Sequence, residues 1–277
     1  MIRPLVALTL AALAALPAQA ADRVVSLGGA VTEIVAALGE ADRLVARDTT
    51  SSWPEAVTAL PDVGYVRRLS AEGVLSVAPD LILAEEGAGP PEAVDLLKSA
   101  AIPFVVVPDG YDRDAVAAKI EAVAGALDVP EKGAALAAEV GRALDAAAAE
   151  AAEGPARRVL FVLSVQGGRL LASGRGTAAD GIIRLAGGVN AVDAFEGYKP
   201  LTDEAVAQAA PEVILMMARE GAEDLAAEVL ALPAVRTTPA AASGALVSMD
   251  GLYLLGFGPR TAQAVRDLSD ALDRAGS

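Results

Sequence analysis

Residues 64–68 read Gly-Tyr-Val-Arg-Arg and place one phenol close to two guanidinium groups. A free tyrosine has a pKa of about 10, and a neighbouring guanidinium favours the ionised form. The ionised oxygen is a donor for ferric iron, and a guanidinium also pairs with carboxylates. Tyr65, Arg67 and Arg68 are therefore candidates for a site that binds a metal and an anion together. On spacing alone the simpler interpretation is favoured, in which Tyr65 is a packed loop aromatic beside two solvated arginines.

Composition excludes several other chemistries. The 277-residue chain contains no cysteine and no histidine. It therefore excludes a thiolate nucleophile, a Ser-His-Asp triad and a haem held by a proximal histidine. The formal net charge of −15 argues against nucleic acid as a partner, because nucleic-acid binding uses a basic surface.

The first twenty residues have the pattern of a cleavable secretory signal. Arg3 supplies the basic start, residues 5–16 are almost wholly apolar, and small residues precede position 21. The apolar run is too short to span a membrane. Because no cysteine follows, a lipid anchor is excluded. We expect cleavage after Ala20 and a soluble, monomeric protein in the periplasm.

The rest of the chain alternates between strand and helix signals, which predicts an α/β fold with two Rossmann-like lobes. The strands are apolar on both faces, which is typical of parallel sheets covered by helices. The predicted strands are residues 23–27, 44–46, 81–83, 104–107 and 159–163. The predicted short helices are residues 32–38, 74–77 and 93–99.

A long helix is predicted between the two lobes. Residues 130–153 begin with proline, continue with good helix formers and end before Gly154-Pro155. We therefore expect a rigid connector over residues 129–154. The N-terminal lobe then covers residues 21–128 and the C-terminal lobe residues 155–277.

An internal repeat indicates that the two lobes are related. Residues 69–83 align without gaps on residues 201–215, and a Gly-Tyr pair precedes each copy. Both copies predict a Ser or Thr cap, an acidic residue in the first turn (Glu72 and Glu204), a helix, a proline and a strand. Two matched lobes leave a cleft between them, where a ligand would bind.

Four stretches of the mature chain resemble the class III periplasmic substrate-binding proteins of ABC importers, and within them the haem-binding branch, the HmuT type. They are residues 60–73, 172–180, 195–201 and 251–260. The Gly-Tyr-x-Arg run joined to Leu-Ser-Ala-Glu-Gly is the most specific of them. The resemblance implies a binding protein that is not an enzyme, with ferric haem as its transported ligand.

The resemblance also implies roles for individual residues. Tyr65 corresponds to the axial ligand of the haem iron, with Arg67 and Arg68 beside it. Arg219, from the second lobe, would lie next to the phenolate. Of these residues, only Tyr65 would bind the metal.

Three more residues are candidates for the cleft. Tyr198, Lys199 and Tyr253 could contact haem, although a core or rim position is equally open for each. Some relatives bind a second haem through a histidine, which this chain lacks. Unless Tyr198 replaces that histidine, we expect one haem per chain.

The resemblance implies that Glu72 and Glu204 dock the protein onto an inner-membrane permease, which works with its ATPase. The simpler alternative is that both acids only stabilise helix N-termini.

Two alternative functions are compatible with parts of the sequence. A corrinoid or iron-siderophore binder would share the fold and the docking residues. Residues 174–179 also match the dinucleotide pattern G-x-G-x-x-A, which would indicate an oxidoreductase. We instead interpret Thr177 and Asp180 as a helix cap and a first-turn acid.

Overall fold

Strands and helices alternate along the chain, as the apolar runs predict. The computed structural model describes residues 21–218 and 222–275, so the predicted signal peptide lies outside the described residues. The strands are β1 Val24–Leu27, β2 Leu44–Arg47, β3 Leu81–Glu85, β4 Phe104–Val107, β5 Arg158–Gln166, β6 Arg169–Ser173, β7 Val189–Asn190, β8 Tyr198–Pro200, β9 Val213–Ala218 and β10 Leu246–Asp250. The helices are α1 Gly29–Ala37, α2 Ala71–Leu75, α3 Pro91–Ser99, α4 Arg113–Ala126, α5 Pro130–Ala151, α6 Ala178–Leu185, α7 Asp203–Ala209, α8 Ala222–Ala231, α9 Pro233–Arg236, α10 Pro239–Ser243, α11 Gly251–Leu255 and α12 Thr261–Ala275. Across these residues, no helix is both long enough and apolar enough to cross a membrane.

The first sheet is parallel, as predicted. Its strand order is β2-β1-β3-β4. All four residues of β1 are buried, because helices cover both faces of this sheet. The carboxyl ends of its strands therefore meet at one edge.

The second sheet is mixed, and the prediction that it is purely parallel was wrong. Strands β10, β9, β5 and β7 are parallel to one another, whereas β6 is antiparallel to both of its neighbours, β5 and β8. The cause is a two-residue hairpin between β5 and β6. Its residues, Gly167 and Gly168, both have positive φ angles (57° and 77°), which fits the type I′ turn that hairpins favour.

The long predicted helix is present as α5. Its 22 residues span about 33 Å at 1.5 Å per residue, and it ends before Gly154, as expected. It packs against α4 and α12. Helix α4 was not predicted from the sequence; Asp112 caps it by accepting a hydrogen bond from the backbone N–H of Ala115 at 2.8 Å. The lobe boundaries at 128 and 154 remain a prediction.

One apolar cluster joins the two sheets. It contains Leu83 and Val107 from the first sheet, Phe161 and Leu215 from the second, and Leu144 from α5. All five side chains are buried. Because this core is continuous across the interface, the two lobes share part of their stabilising contacts.

The internal repeat is also structural. Ser70 and Thr202 cap α2 and α7 through hydrogen bonds from the backbone N–H three residues later, at 3.3 and 3.2 Å. Ala78 and Ala210, which are equivalent in the repeat, both adopt the left-handed conformation, with φ of 48° and 40°. Each precedes a proline that leads into a strand. The two copies therefore share backbone conformation as well as sequence.

Candidate functional site

A cavity of about 790 Å³ lies between the two sheets, where the carboxyl ends of their parallel strands face each other. This is the edge at which open α/β sheets bind ligands, and the volume is typical of a small-molecule site. Its apolar lining comes mainly from the second half of the chain: Leu163, Met217, Leu252 and Leu255. Its polar lining includes Thr49, Thr50, Ser52, Tyr65, Arg67, Glu85, Asp109, Tyr111, Tyr198 and Asp250.

Tyr65 offers the most accessible phenol of this cavity. Its side chain is 43% exposed, and its hydroxyl has no hydrogen-bond partner among the described residues. The next residue, Val66, is buried in the core beneath the first sheet. The backbone N–H of Arg68 bonds to the carbonyl of Tyr65 at 2.7 Å, which closes a turn. The phenol is therefore held at the cavity while its oxygen stays available to a ligand.

Arg67 lines the same cavity, but Arg68 does not. One guanidinium nitrogen of Arg67, Nη1, donates to the carbonyl of Gly87 at 3.1 Å. Gly87 has a φ of 81°, and a side chain there would meet Arg67. Arg68 is exposed and lies outside the cavity lining. The structure therefore brings Tyr65 and one of the two predicted arginines together.

Tyr198 faces the cavity from the second sheet. Its hydroxyl lies against the Thr177 side chain and the backbone N–H of Ala179, at the start of α6. Burial raises the pKa of Tyr198, and hydrogen bonds from these two groups and the charge of Arg67 offset part of that rise. The Tyr198 hydroxyl therefore has two donor groups of the protein beside it, whereas the Tyr65 hydroxyl has none among the residues that the structure describes.

The structure does not place the other two cleft candidates among the cavity-lining residues. Side chains alternate along a strand, so Lys199 points away from the side that Tyr198 faces, and its ammonium lies 5.2 Å from the Phe195 ring centre. The Tyr253 hydroxyl donates to Asp267 at 2.8 Å, and this carboxylate raises the pKa of Tyr253 together with burial, the larger cause. Arg219 lies outside the described residues, although Met217 of β9 lines the cavity.

A cluster of charged and polar residues at the cavity was not predicted from the sequence. It consists of Glu85, Asp109, Tyr111 and the buried Lys119. The Lys119 ammonium lies 3.0 Å from Asp109 and 3.9 Å from Glu85, and it donates to the carbonyl of Gly256 at 3.3 Å. The Tyr111 hydroxyl donates to Asp109 at 2.9 Å. Burial raises the pKa of Glu85, and Lys119 opposes that rise. Asp109, Tyr111 and Lys119 are close in sequence, but Glu85 and Gly256 come from distant segments, and no motif connects them.

Behind the cavity, Arg260 connects the two halves of the chain. It pairs with Glu33 of α1, which is 5% exposed. Its guanidinium carbon lies 4.5 Å from the Trp53 ring centre and 5.0 Å from that of Tyr253. A cation between two aromatic rings and a carboxylate resists separation of these segments.

Glu72 and Glu204 both occupy the first turn of their helices, as the repeat predicts, and both are exposed. The pKa of Glu204 is lowered by its own backbone N–H and by the Thr202 hydroxyl.

Thr177 and Asp180 form the predicted cap and first-turn acid of α6, where the backbone N–H of Asp180 donates to the Thr177 hydroxyl at 3.1 Å.

A second concavity, of about 760 Å³, lies at the opposite edge of the second sheet. Arg157, Glu212 and Arg274 contribute its charged lining, and none of the predicted site residues reaches it. The cavity between the sheets is therefore the candidate site. It can hold an extended apolar ligand, supply an anionic oxygen to a metal and pair a guanidinium with an acid.

Comparison with known proteins gives a consistent result. The solved periplasmic haem-binding protein BhuT, in complex with two haems, is 44% identical, with a TM-score of 0.87 over 92% of this chain and 99% of that one. The periplasmic haem-binding protein RhuT from Roseiflexus sp. RS-1 is 38% identical, with a TM-score of 0.88 and the same coverage. The vitamin B12-binding protein of Yersinia pestis is 29% identical over 79% of this chain and 77% of its own length. Residues 24–252 match the periplasmic binding protein family, and the chain belongs to that family.

Proposed function

We propose that this protein is the haem-binding component of an ABC importer in the periplasm. It captures ferric haem in the cavity between the two sheets and delivers it to an inner-membrane permease that works with an ATPase. The exposed Tyr65 phenol beside Arg67 carries this proposal. A phenolate is a known axial donor to haem iron, and this chain contains neither histidine nor cysteine. The proposal assigns no catalytic step to the chain.

Three classes of contact would hold haem here. Tyr65 supplies the one bond from the protein to iron, and Arg67, which lines the same cavity, pairs with a propionate or with the phenolate. Leu163, Leu252 and Leu255 provide apolar surface for the macrocycle. Arg68 and Lys199 do not line the cavity, so they would contact haem only where its edge extends out of the cavity.

Tyr198, Tyr253 and Arg219 have smaller parts in this proposal. Tyr198 contacts the macrocycle without binding iron, because two donor groups at the start of α6 already lie against its hydroxyl. Tyr253 supports the site through Arg260. Arg219 is proposed beside the phenolate from the resemblance alone.

The alternative ligand is another metal chelate, a corrinoid or an iron siderophore. The vitamin B12-binding relative supports the corrinoid candidate at the level of the family. A corrinoid, however, requires neither a phenolate nor a guanidinium for propionates. Two haem-binding proteins with higher identity, 44% and 38%, support haem.

Titration of the apoprotein separates these ligands. Visible absorption is recorded while hemin or cobalamin is added to the mature protein, which is proposed to begin after Ala20. We expect a saturable hemin spectrum with an endpoint of one haem per chain and no change with cobalamin. Saturation by cobalamin, without a hemin spectrum, would favour the corrinoid alternative.

Docking is proposed to depend on the two exposed glutamates. Changing Glu72 or Glu204 to lysine should leave hemin binding intact and reduce haem uptake by cells severalfold, because each charge faces the permease. The matched control is Glu92→Lys, another exposed first-turn acid, on α3. Normal uptake by both single variants and the double variant would assign the acids to helix stability alone.

Lobe closure on the ligand is expected to be small. The continuous core, α5 and the Arg260–Glu33 pair all resist a hinge between the sheets. Solution X-ray scattering should give the same radius of gyration with and without hemin. A clear decrease on hemin addition would contradict this rigid arrangement.

A further inference from the structure

Asp48 is a buried carboxylate just after β2 with an unusual number of hydrogen-bond donors. Its side chain is fully buried, and in the described part of the chain it has no Lys or Arg within ion-pair distance. Five donors satisfy it instead. They are the backbone N–H groups of Gly28, Thr50 and Val66, at 3.0, 3.0 and 3.3 Å, and the hydroxyls of Thr50 and Ser51, at 2.8 and 2.7 Å.

These donors belong to three separate segments of the chain. Gly28 precedes α1, Thr50 and Ser51 follow Asp48, and Val66 lies between Tyr65 and Arg67. Each segment also lines the cavity, through Gly29, Thr50 and Tyr65 respectively. One side chain therefore joins all three segments on the Tyr65 side of the cavity.

The bond to Val66 has the most direct consequence for the site. Val66 follows Tyr65 in sequence, so fixing its backbone N–H restricts the directions that the phenol can take. The Val66 carbonyl is held as well, by the backbone N–H of Gly89 at 2.9 Å. Both backbone polar groups of Val66 are bonded and its side chain is buried. The backbone from which the Tyr65 and Arg67 side chains extend is therefore fixed in position.

We propose that Asp48 is a positioning residue for the ligand site: its carboxylate holds the Val66 amide and thereby fixes Tyr65 and Arg67 at the cavity. This inference rests on the proposed haem-binding function. A positioned donor loses less conformational freedom when it binds its ligand, so the bond to iron lasts longer.

Asp48→Asn tests the proposal with little change in volume. One carboxylate oxygen accepts from Val66 and Thr50, and the other from Gly28 and Ser51. An amide places an NH₂ group, which is only a donor, on one of those two sides. In either orientation at least one backbone N–H loses its acceptor.

The expected result is a haem site with a weakened iron bond. Stopped-flow transfer of haem to an excess of a tighter-binding acceptor should show dissociation at least about tenfold faster, which corresponds to ~1.4 kcal/mol. The phenolate-to-iron charge-transfer band should also lose intensity. The matched control is Ser51→Ala, which removes one bond to Asp48 and leaves the Val66 amide bonded. The Ser51→Ala variant should keep the charge-transfer band and the haem dissociation rate of the wild type, even if urea unfolding shows that it is less stable.

Two results would overturn the inference while leaving the proposed function intact. One is a folded Asp48→Asn variant in which the Val66 amide exchanges faster than in the wild type, while the band and the dissociation rate stay unchanged. The other is a Ser51→Ala variant that loses as much stability as Asp48→Asn and shows the same spectral change. That result would indicate that any destabilisation of this part of the fold disturbs the site. A wild-type protein that does not bind hemin would instead overturn the proposed function, and this inference with it.

A second measurement needs no variant, in case Asp48→Asn does not fold. Amide hydrogen exchange, followed by NMR on the wild-type apoprotein, should show the Val66 N–H protected. An unprotected Val66 amide would overturn the proposal, because Asp48 would then not hold this loop in solution.

Discussion

The Tyr65→Phe variant is expected to bind hemin at least about tenfold more weakly, a loss of ~1.4 kcal/mol or more, and to lose the phenolate-to-iron charge-transfer band. Phenylalanine keeps the ring and removes only the oxygen that binds iron. Macrocycle burial and the guanidinium contacts remain, so haem should still enter the cavity. Equilibrium titration gives the affinity, and the visible spectrum of the ferric complex reports the ligand.

Tyr198→Phe is the comparison that identifies the ligand. It removes the phenol that lines this cavity from the opposite sheet, in the Gly-Tyr pair that precedes the second copy of the internal repeat. Because Thr177 and the backbone N–H of Ala179 lie against the Tyr198 hydroxyl, whereas the Tyr65 hydroxyl has no neighbour of this kind within residues 21–218 and 222–275, this variant should keep the charge-transfer band. If Tyr198→Phe lost the band and Tyr65→Phe kept it, the axial ligand would be Tyr198.

The Lys119→Met variant should lose about 3 kcal/mol of unfolding free energy near pH 7. Removing one partner of a buried ion pair leaves the other charge unpaired, at a cost of ~3–5 kcal/mol. We expect the lower end, because the Asp109 and Glu85 side chains are 17% and 18% exposed towards the cavity. Urea unfolding measures the loss.

A surface lysine provides the matched control for that measurement. The Lys132 ammonium lies 2.6 Å from Glu40 but its side chain is 55% exposed, so Lys132→Met should cost less than ~1 kcal/mol. Equal losses in the two variants would contradict a special role for the buried pair.

Asp109→Asn, added to Lys119→Met, should restore part of the unfolding free energy because it removes one uncompensated charge.

The stability loss in Lys119→Met should also depend on pH. In the wild type, Lys119 lowers the pKa of Glu85 against the larger effect of burial, which raises it. Without Lys119 the folded-state pKa of Glu85 rises further, so the folded variant favours the protonated carboxyl. A group with a raised folded-state pKa contributes stability below its unfolded pKa and loses it as pH rises. The difference between variant and wild type should therefore shrink as the pH is lowered from 7 towards 5.

Local signals made much of the fold predictable. The proline before α5, the capping residues Ser70 and Thr202, and the apolar first-sheet strands each act over a few residues, and all have the predicted structure. The hairpin at Gly167-Gly168 was equally local, and its two adjacent glycines were a signal that the sequence analysis missed. The second sheet is therefore mixed because of a turn, and the α/β class is unaffected.

The site was only partly predictable because most of it depends on long-range contacts. Tyr65 and Arg67 are close in sequence and share one loop, so the family resemblance, and not their spacing alone, predicted them as a site. Lys119, by contrast, contacts a carbonyl 137 residues away, at Gly256. Nothing near Tyr253 in the sequence indicates that Asp267 engages its hydroxyl, 14 residues later. Such partners become visible only once the two sheets are packed together.

The most direct test of the haem-binding proposal is a crystal structure of the mature wild-type protein with hemin. It should show the haem iron between the two sheets, bound by the Tyr65 hydroxyl oxygen, with the Arg67 guanidinium beside the phenolate or a propionate. Iron bound by Tyr198 instead, or a haem outside this cavity, would contradict the account.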